Sequence, residues 1–147
     1  PLDVKRLIMA KDIGAELVID VSQEDPVSRI TEITSGHGVD FVFETSGNPA
    51  ALEQALRMVR RGGQVFVVGF VSGRPQINWV DVSRKAVYIR GVYANTYETF
   101  DRLLRVIGLG KISLRQVITH VFPPEKAVEA FESAKSRQTG KVVFRFD

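Results

Sequence analysis

Residues 38–70 read GVDFVFETSGNPAALEQALRMVRRGGQVFVVGF and decide the fold class. Val39 to Phe43 is apolar except at Asp40, typical of a strand that helices cover on both faces. Asn48-Pro49 predicts a helix start, because asparagine caps the first turn and proline there gives up only an N–H without a partner. Arg60 to Gly63 is expected to end this helix, and Gln64 to Phe70 is strongly β-prone. This order of strand, helix and strand predicts a parallel βαβ unit.

The same alternation continues on both sides of this unit. Upstream, the pattern predicts a helix over about residues 4–13 capped by Asp3, a short strand at Leu17-Val18-Ile19, and a helix after Asp25-Pro26. Downstream, it predicts a strand over about 86–93, a helix opened by Asn95 or Thr96, an extended segment over 117–122, a helix after Pro123-Pro124 and a strand over 142–146. We therefore expect an α/β fold with a mainly parallel sheet and flanking helices.

The composition is that of an ordinary globular protein. Of its 147 residues, 44% are hydrophobic and 25% are charged, and no apolar run approaches the roughly 18 residues that a membrane span needs. The 20 basic and 17 acidic residues are scattered, so there is no basic stripe of the kind that binds nucleic acid. The absence of cysteine excludes a disulfide framework, and we expect a cytoplasmic protein. Pro1-Leu2-Asp3 resembles neither an initiator sequence nor a signal peptide, so we expect further chain before it.

Ligands in open α/β sheets bind beyond the carboxyl ends of the strands, which here means the loops 45–48, 68–73 and 92–95. Catalytic chemistry is sparse in them. His37 and His120 lack the neighbours of a metal site or a catalytic base, and no catalytic or metal residue is predicted. Glu44 is expected at the rim of the sheet, hydrogen-bonded to the next loop, because a carboxylate ending an apolar strand needs partners. The glycine motifs of phosphate-binding loops do not occur.

Several segments taken together resemble the medium-chain, zinc-type alcohol dehydrogenases. Each is weak alone, but their order and spacing over essentially the whole chain make the resemblance specific. They are Arg6-Leu7 with Ala10-Lys11 and Gly14-Ala15, Gly38 to Gly47, Arg61-Gly62-Gly63-Gln64 with Val68-Gly69, Gly110-Lys111-Ile112, Ile118-Thr119-His120 with Phe122-Pro123, and Gly140-Lys141-Val142-Val143.

The resemblance implies a Rossmann-like coenzyme domain that is truncated at its amino-terminal side. In that family a catalytic domain comes first, the Rossmann domain follows, and the chain finally returns to the catalytic domain. Residues 1–147 would form a partial dinucleotide-binding domain, with about 117–147 returning towards the catalytic domain. The glycine fingerprint and the zinc ligands of the family would lie upstream of Pro1, so zinc is expected only there. The strand at Leu17-Val18-Ile19 would then lack its usual neighbours.

The resemblance also assigns residues to an NAD or NADP site. Leu2 and Ser46 match positions on the two faces of the adenine, with Thr45 beside Ser46. Arg6 matches a basic residue at the adenosine ribose, and Lys141 matches one near the pyrophosphate. The nicotinamide end is assigned to two segments, Val68-Gly69-Phe70 against the ring and Val92 with Ala94, whose backbone groups hold the carboxamide. The position of the acidic residue that binds the ribose in this family falls on Pro1, which is not acidic. The choice between NAD and NADP therefore stays open.

For the parent protein, the resemblance implies hydride transfer between an alcohol or polyol and the nicotinamide cofactor, while the segment alone is expected to be inactive. The strand over 86–93 would lie at the sheet edge and pair with its twin in a homodimer or tetramer. Two alternatives stay open. Arg61-Gly62-Gly63 before an apolar strand also recurs in methyltransferase-like Rossmann domains, and the segment could be a non-catalytic binding or dimerisation module. The tail after Pro123 favours the dehydrogenase over a methyltransferase, whose sheet typically ends in an antiparallel hairpin.

Overall fold

The structure, a computed structural model, describes residues 4–136 and 138–146. Over these residues the chain runs α1 (Val4–Asp12), α2 (Pro26–Ile33), β1 (Val39–Glu44), α3 (Pro49–Met58), β2 (Val59–Val67), α4 (Trp79–Lys85), β3 (Tyr88–Gly91), α5 (Tyr97–Gly108), β4 (Ile118–Phe122), α6 (Ala127–Lys135) and β5 (Lys141–Phe144), with 3₁₀ turns at Arg115–Val117 and Pro124–Lys126. None of the helices in these ranges is long and apolar enough to cross a membrane.

The chain divides into two compact units. Residues 23–94 form the central unit, and residues 1–22 with 95–147 form the terminal unit. In the central unit β1, β2 and β3 form a parallel sheet in that order. Glu44 lies opposite Val67, which in turn lies opposite Gly91, so the carboxyl ends of all three strands meet at one edge. This arrangement confirms the predicted α/β class and its parallel sheet.

One face of the central sheet carries the core. Leu52, Ala55 and Leu56 of α3 pack with Val59 and Val65 of β2, and Val65 is fully buried. The opposite face displays Phe41 and Phe43, whose side chains are 56% and 63% exposed. The expectation that helices cover both faces of β1 is therefore wrong for this unit.

The predicted helix starts in the central unit are confirmed. The side chain of Asp25 accepts a hydrogen bond from the Ser28 N–H at 2.9 Å, and that of Asn48 accepts one from the Ala50 N–H at 2.9 Å. Proline follows each cap, as the sequence indicates. The hydroxyl and the N–H of Ser28 both donate to the Asp25 carboxylate and lower its pKa. The cap predicted at Asp3 lies outside the described residues.

The boundary between α3 and β2 differs from the prediction. The helix ends at Met58 and the strand begins directly at Val59, so Arg60 to Gly63 belongs to the strand. The register against β1 runs from Val39 opposite Val59 to Phe41 opposite Gln64, which leaves the extra residues of β2 as a bulge. The backbone of Gly62, with φ of +67°, supplies the left-handed step that this bulge needs.

The structure differs from the predictions at three further places. Leu17-Val18-Ile19 forms no strand, because no strand among the described residues pairs with it. The strand expected over 86–93 is shorter, at Tyr88–Gly91. Helix α4 was not predicted, although Asn78 caps it through a hydrogen bond from the Val80 N–H at 3.1 Å.

Lys85, at the end of α4, caps the end of α3. Its Nζ donates to the backbone carbonyls of Leu56, Arg57 and Val59 at 3.1, 2.9 and 3.0 Å. Leu56 and Arg57 lie in the last turn of α3, where carbonyls have no partner within the helix and the helix dipole also favours a cation. Burial of the ammonium lowers the pKa of Lys85, with the Asp81 carboxylate opposing the shift and Arg57 adding to it.

We expect Lys85→Met to destabilise the central unit by about 1–3 kcal/mol, because it keeps the aliphatic stem but leaves three carbonyls without their donor. The pKa of Lys85 is lower in the folded than in the unfolded chain, so between those two pKa values the unfolded chain binds more protons. The difference in free energy of unfolding between the wild type and Lys85→Met should therefore increase as the pH rises through that window. Urea unfolding of both proteins at several pH values measures it, and equal stability throughout would contradict the capping role.

The terminal unit contains a two-stranded parallel sheet, in which β4 pairs with β5. Ala130 of α6 is buried, whereas Val128 and Phe131 of the same helix are exposed. Helix α1 is connected to the loop before β5 by the Arg6 side chain, whose Nε donates to the Thr139 carbonyl at 3.1 Å.

Candidate functional site

Three loops meet at the carboxyl edge of the central sheet, as predicted for the ligand-binding edge of an α/β fold. The Val68 and Gly69 N–H groups donate to the Glu44 carbonyl at 2.8 and 2.9 Å, which joins the loop after β2 to the end of β1. The Val92 N–H donates to the Val67 carbonyl at 2.9 Å and joins the loop after β3 to the end of β2. The three loops therefore form one continuous backbone surface.

Glu44 lies beneath this surface rather than at its rim. The residue is 4% exposed, and its Oε1 accepts from the Ser46 N–H at 2.7 Å, the Ser46 hydroxyl at 2.6 Å and the Gly47 N–H at 3.0 Å. The expected hydrogen bonds to the next loop are confirmed, but the expected position at the rim is wrong. Burial follows from these donors, because a carboxylate can leave water when N–H and O–H groups replace its hydration.

Two glycines let the loops approach each other closely. A Cβ at Gly47 would overlap the Phe70 carbonyl, and the φ of Gly47 is +71°. A Cβ at Gly69 would overlap the Gly47 nitrogen and would lie 2.8 Å from Glu44 Oε2. The residues after β1 and after β2 are thus packed backbone against backbone.

Apolar side chains stand on the outer side of these loops. Phe70 and Tyr93 are 83% and 82% exposed, and their rings meet edge to face with centroids 6.1 Å apart. Val68 and Val92 are also exposed. Together Val68, Phe70, Val92 and Tyr93 form what we call the apolar shelf, a surface suited to a flat ring.

Polar backbone groups lie beside the apolar shelf. Ala94 has a left-handed backbone with φ of +54°. Within the part of the chain that the structure describes, the Ala94 N–H and the Val92 carbonyl have no hydrogen-bond partner. One donor and one acceptor next to an apolar surface match the hydrogen-bonding groups of an amide.

The structure thus brings together seven of the residues assigned to the coenzyme, namely Thr45, Ser46, Val68, Gly69, Phe70, Val92 and Ala94. Arg6 and Lys141 belong to the terminal unit, where Arg6 contacts the Thr139 carbonyl and Lys141 begins β5 opposite Ile118. Leu2 lies outside the described residues.

Glu44 and Gly47 were not assigned to the site from the sequence. An acid that ends an apolar strand and is followed by Ser-Gly is a usable signal, since the tight turn presents two N–H groups to the acid. His37 is hydrogen-bonded to the Thr34 carbonyl, and His120 to the Thr119 hydroxyl. No group of three or more acidic, histidine or cysteine side chains in the described ranges is arranged to hold a metal ion.

Residues 3–108 match the family described as zinc-binding dehydrogenase. L-threonine 3-dehydrogenase of Pyrococcus horikoshii is 39% identical, in an alignment that covers 98% of this chain and 42% of that protein. An oxidoreductase of unknown specificity from Escherichia coli has a TM-score of 0.89 at 32% identity over 97% of this chain and 41% of its own. An alcohol dehydrogenase from Thermus sp. ATN1 has a TM-score of 0.86 at 32% identity, covering 97% of this chain and 42% of its own. The chain therefore spans about two fifths of the length of these relatives.

Proposed function

This chain belongs to the zinc-binding dehydrogenase family, and we propose that it forms the nicotinamide-coenzyme-binding part of a dehydrogenase that oxidises an alcohol or polyol. Residues 1–147 would be a partial dinucleotide-binding domain, with about 117–147 returning towards a catalytic domain that holds the zinc. The observation that carries the proposal is the apolar shelf bordered by the Ala94 N–H and the Val92 carbonyl, which have no partner among residues 4–136 and 138–146.

The residues present fit the nicotinamide end of NAD or NADP. A carboxamide offers one acceptor and two donor hydrogens, which the Ala94 N–H and the Val92 carbonyl complement. The apolar shelf, with Val68 and Phe70, would exclude water from one face of the ring. The bound coenzyme supplies the hydride chemistry, and these residues supply orientation and a dry surface.

Further residues are proposed for the adenosine end of the coenzyme. We propose that Ser46, Thr45 and Leu2 border the adenine, that Arg6 contacts the ribose and that Lys141 lies near the pyrophosphate. The Ser46 hydroxyl donates to Glu44, and its oxygen accepts from the Asn48 N–H at 3.1 Å. A hydroxyl oxygen has two lone pairs, so one stays available to a ligand. This chain has no glycine motif for the pyrophosphate, and we assign that contact to the preceding part of a longer protein.

The relatives suggest a substrate class and an assembly. L-Threonine is a secondary alcohol, and one relative is named for its oxidation. We therefore propose a small secondary alcohol, with L-threonine as the first compound to test. Strand β3 lies at the edge of the central sheet and all four of its residues are exposed, so we propose that it pairs with its twin in a dimer. We also propose that the enzyme is cytoplasmic.

Fluorescence titration with NADH and NADPH tests the coenzyme assignment in the full-length protein and in the 147-residue chain. We expect the full-length protein to bind one or both coenzymes and the chain alone to bind far more weakly. Phe70→Ala in the full-length protein should weaken binding roughly tenfold, because it removes an aromatic contact surface. Val80→Ala, which shortens another exposed apolar side chain of the central unit, should have no effect.

The alternatives predict other outcomes of the same titration. Binding of S-adenosylmethionine with no response to either coenzyme would favour a methyltransferase-like domain. Absence of binding to all three compounds would favour a non-catalytic binding or dimerisation module. Either result would contradict the proposed function.

A further inference from the structure

Glu44 connects the two loops that are assigned to opposite ends of the coenzyme. Its side chain accepts hydrogen bonds from Ser46 and Gly47, on the loop assigned to the adenosine end. Its main-chain carbonyl accepts from the N–H groups of Val68 and Gly69, on the loop assigned to the nicotinamide end. One residue therefore fixes the position of both loops.

The Glu44 carboxylate is also a buried charge without a cation beside it. The hydrogen bonds to its side chain all come from neutral N–H and O–H groups, and among the described residues no lysine, arginine or histidine forms an ion pair with it. Oε2 lies 2.8 Å from where a Cβ on Gly69 would stand, so the charge is directly behind the loop that carries Val68 and Phe70. The low polarity around a buried carboxylate lets its field extend further than it would in water.

We propose that Glu44 is a positioning residue that holds the two coenzyme loops together and whose negative charge favours the oxidised nicotinamide ring, which is positively charged, over the neutral reduced ring. This inference rests on the proposed function. The loops position the coenzyme. The carboxylate in addition attracts the oxidised ring, which is positively charged, and not the neutral reduced ring. A residue with a merely structural role would affect both oxidation states equally.

The test measures the dissociation constants of the oxidised and reduced coenzyme for the full-length protein and three variants. Glu44→Gln removes the charge. Its amide oxygen can replace Oε1 as the acceptor, but its NH₂ would then face the Gly47 N–H that lies 3.2 Å from Oε2. We therefore expect roughly tenfold weaker binding of NADH and roughly hundredfold weaker binding of NAD⁺. Glu44→Asp keeps the charge but shortens the side chain. It should weaken both forms while retaining their ratio to within about threefold.

Asp40→Asn is the matched control. It removes a carboxylate from the other end of β1, where Asp40 is exposed and pairs with Arg60 at 2.6 Å. Both dissociation constants should stay within about twofold of the wild type. Thermal unfolding of each variant establishes that it is folded at the titration temperature.

The outcomes separate this inference from the proposed function. Equal weakening of both oxidation states by Glu44→Gln, or no weakening, would overturn the role of Glu44 while leaving the coenzyme site intact. If Glu44→Gln does not fold, Glu44→Asn compared with Glu44→Asp makes the same test at equal side-chain length. A larger loss of NAD⁺ than of NADH affinity in Glu44→Asn supports the proposal, and equal losses overturn it. A wild-type protein that binds neither form overturns the proposed function and this inference with it.

Discussion

Gly69→Ala is expected to lower coenzyme-dependent turnover of the full-length protein roughly hundredfold and to destabilise the central unit by about 1–3 kcal/mol. The new methyl group would overlap the Gly47 nitrogen and would lie 2.9 Å from the Gly47 Cα and 2.8 Å from Glu44 Oε2. Two of these three atoms belong to the backbone and cannot rotate away. The loops after β1 and β2 must therefore separate, which displaces Phe70 and the apolar shelf.

Gly91→Ala is the matched control for this substitution. Gly91 also stands at the carboxyl end of a strand of the central sheet, but a Cβ there would meet no atom within 4 Å. Steady-state kinetics and urea unfolding should therefore give values close to the wild type. Wild-type turnover in Gly69→Ala would contradict the close packing of the two loops.

Leu52→Ala is expected to destabilise the central unit by about 2–5 kcal/mol. Leu52 is buried in the cluster that joins α3 to β2, where it packs with Ala55, Leu56 and Val65. Removing its isobutyl group reduces the apolar surface that is buried on folding. It also leaves a cavity between α3 and β2, which cannot move together enough to fill it. Because Glu44 and the loops rest on this sheet, coenzyme affinity should fall together with stability.

Urea unfolding followed through Trp79 measures this effect. Trp79 is the only tryptophan of the chain and belongs to α4 of the central unit, so its fluorescence reports on the unit that contains Leu52. Ile33→Ala removes a side chain of the same size from the same unit. Ile33 is 50% exposed, so this change should cost less than about 1 kcal/mol. Similar losses for the two variants would contradict the assignment of Leu52 to the core.

Local signals in the sequence were sufficient to predict many of the helices and strands of the central unit. Asp25-Pro26 and Asn48-Pro49 mark helix starts because cap and proline act within one turn of the backbone. Val39 to Phe43 marks β1 for a similar reason, since a short apolar run between turn residues favours a strand.

Structural features that depend on residues distant in the sequence could not be predicted from local signals. Leu17-Val18-Ile19 has the composition of a strand, but a strand exists only where another one pairs with it. Helix α4 is seven residues long, and its Trp79-Val80-Asp81-Val82 start alternates like a strand as much as a helix. The burial of Glu44 likewise depends on a turn and on the loop after a second strand.

The close packing of Glu44, Gly47 and Gly69 restricts how related sequences can vary. A side chain at position 69 would need both a turn that follows another path at position 47 and a shorter acid at position 44, because its Cβ would meet atoms of both residues. Each change alone leaves either a steric overlap or a buried polar group without a partner, so intermediates carrying a single change would be disfavoured. Across homologues these three positions are therefore expected to change together or to remain fixed together.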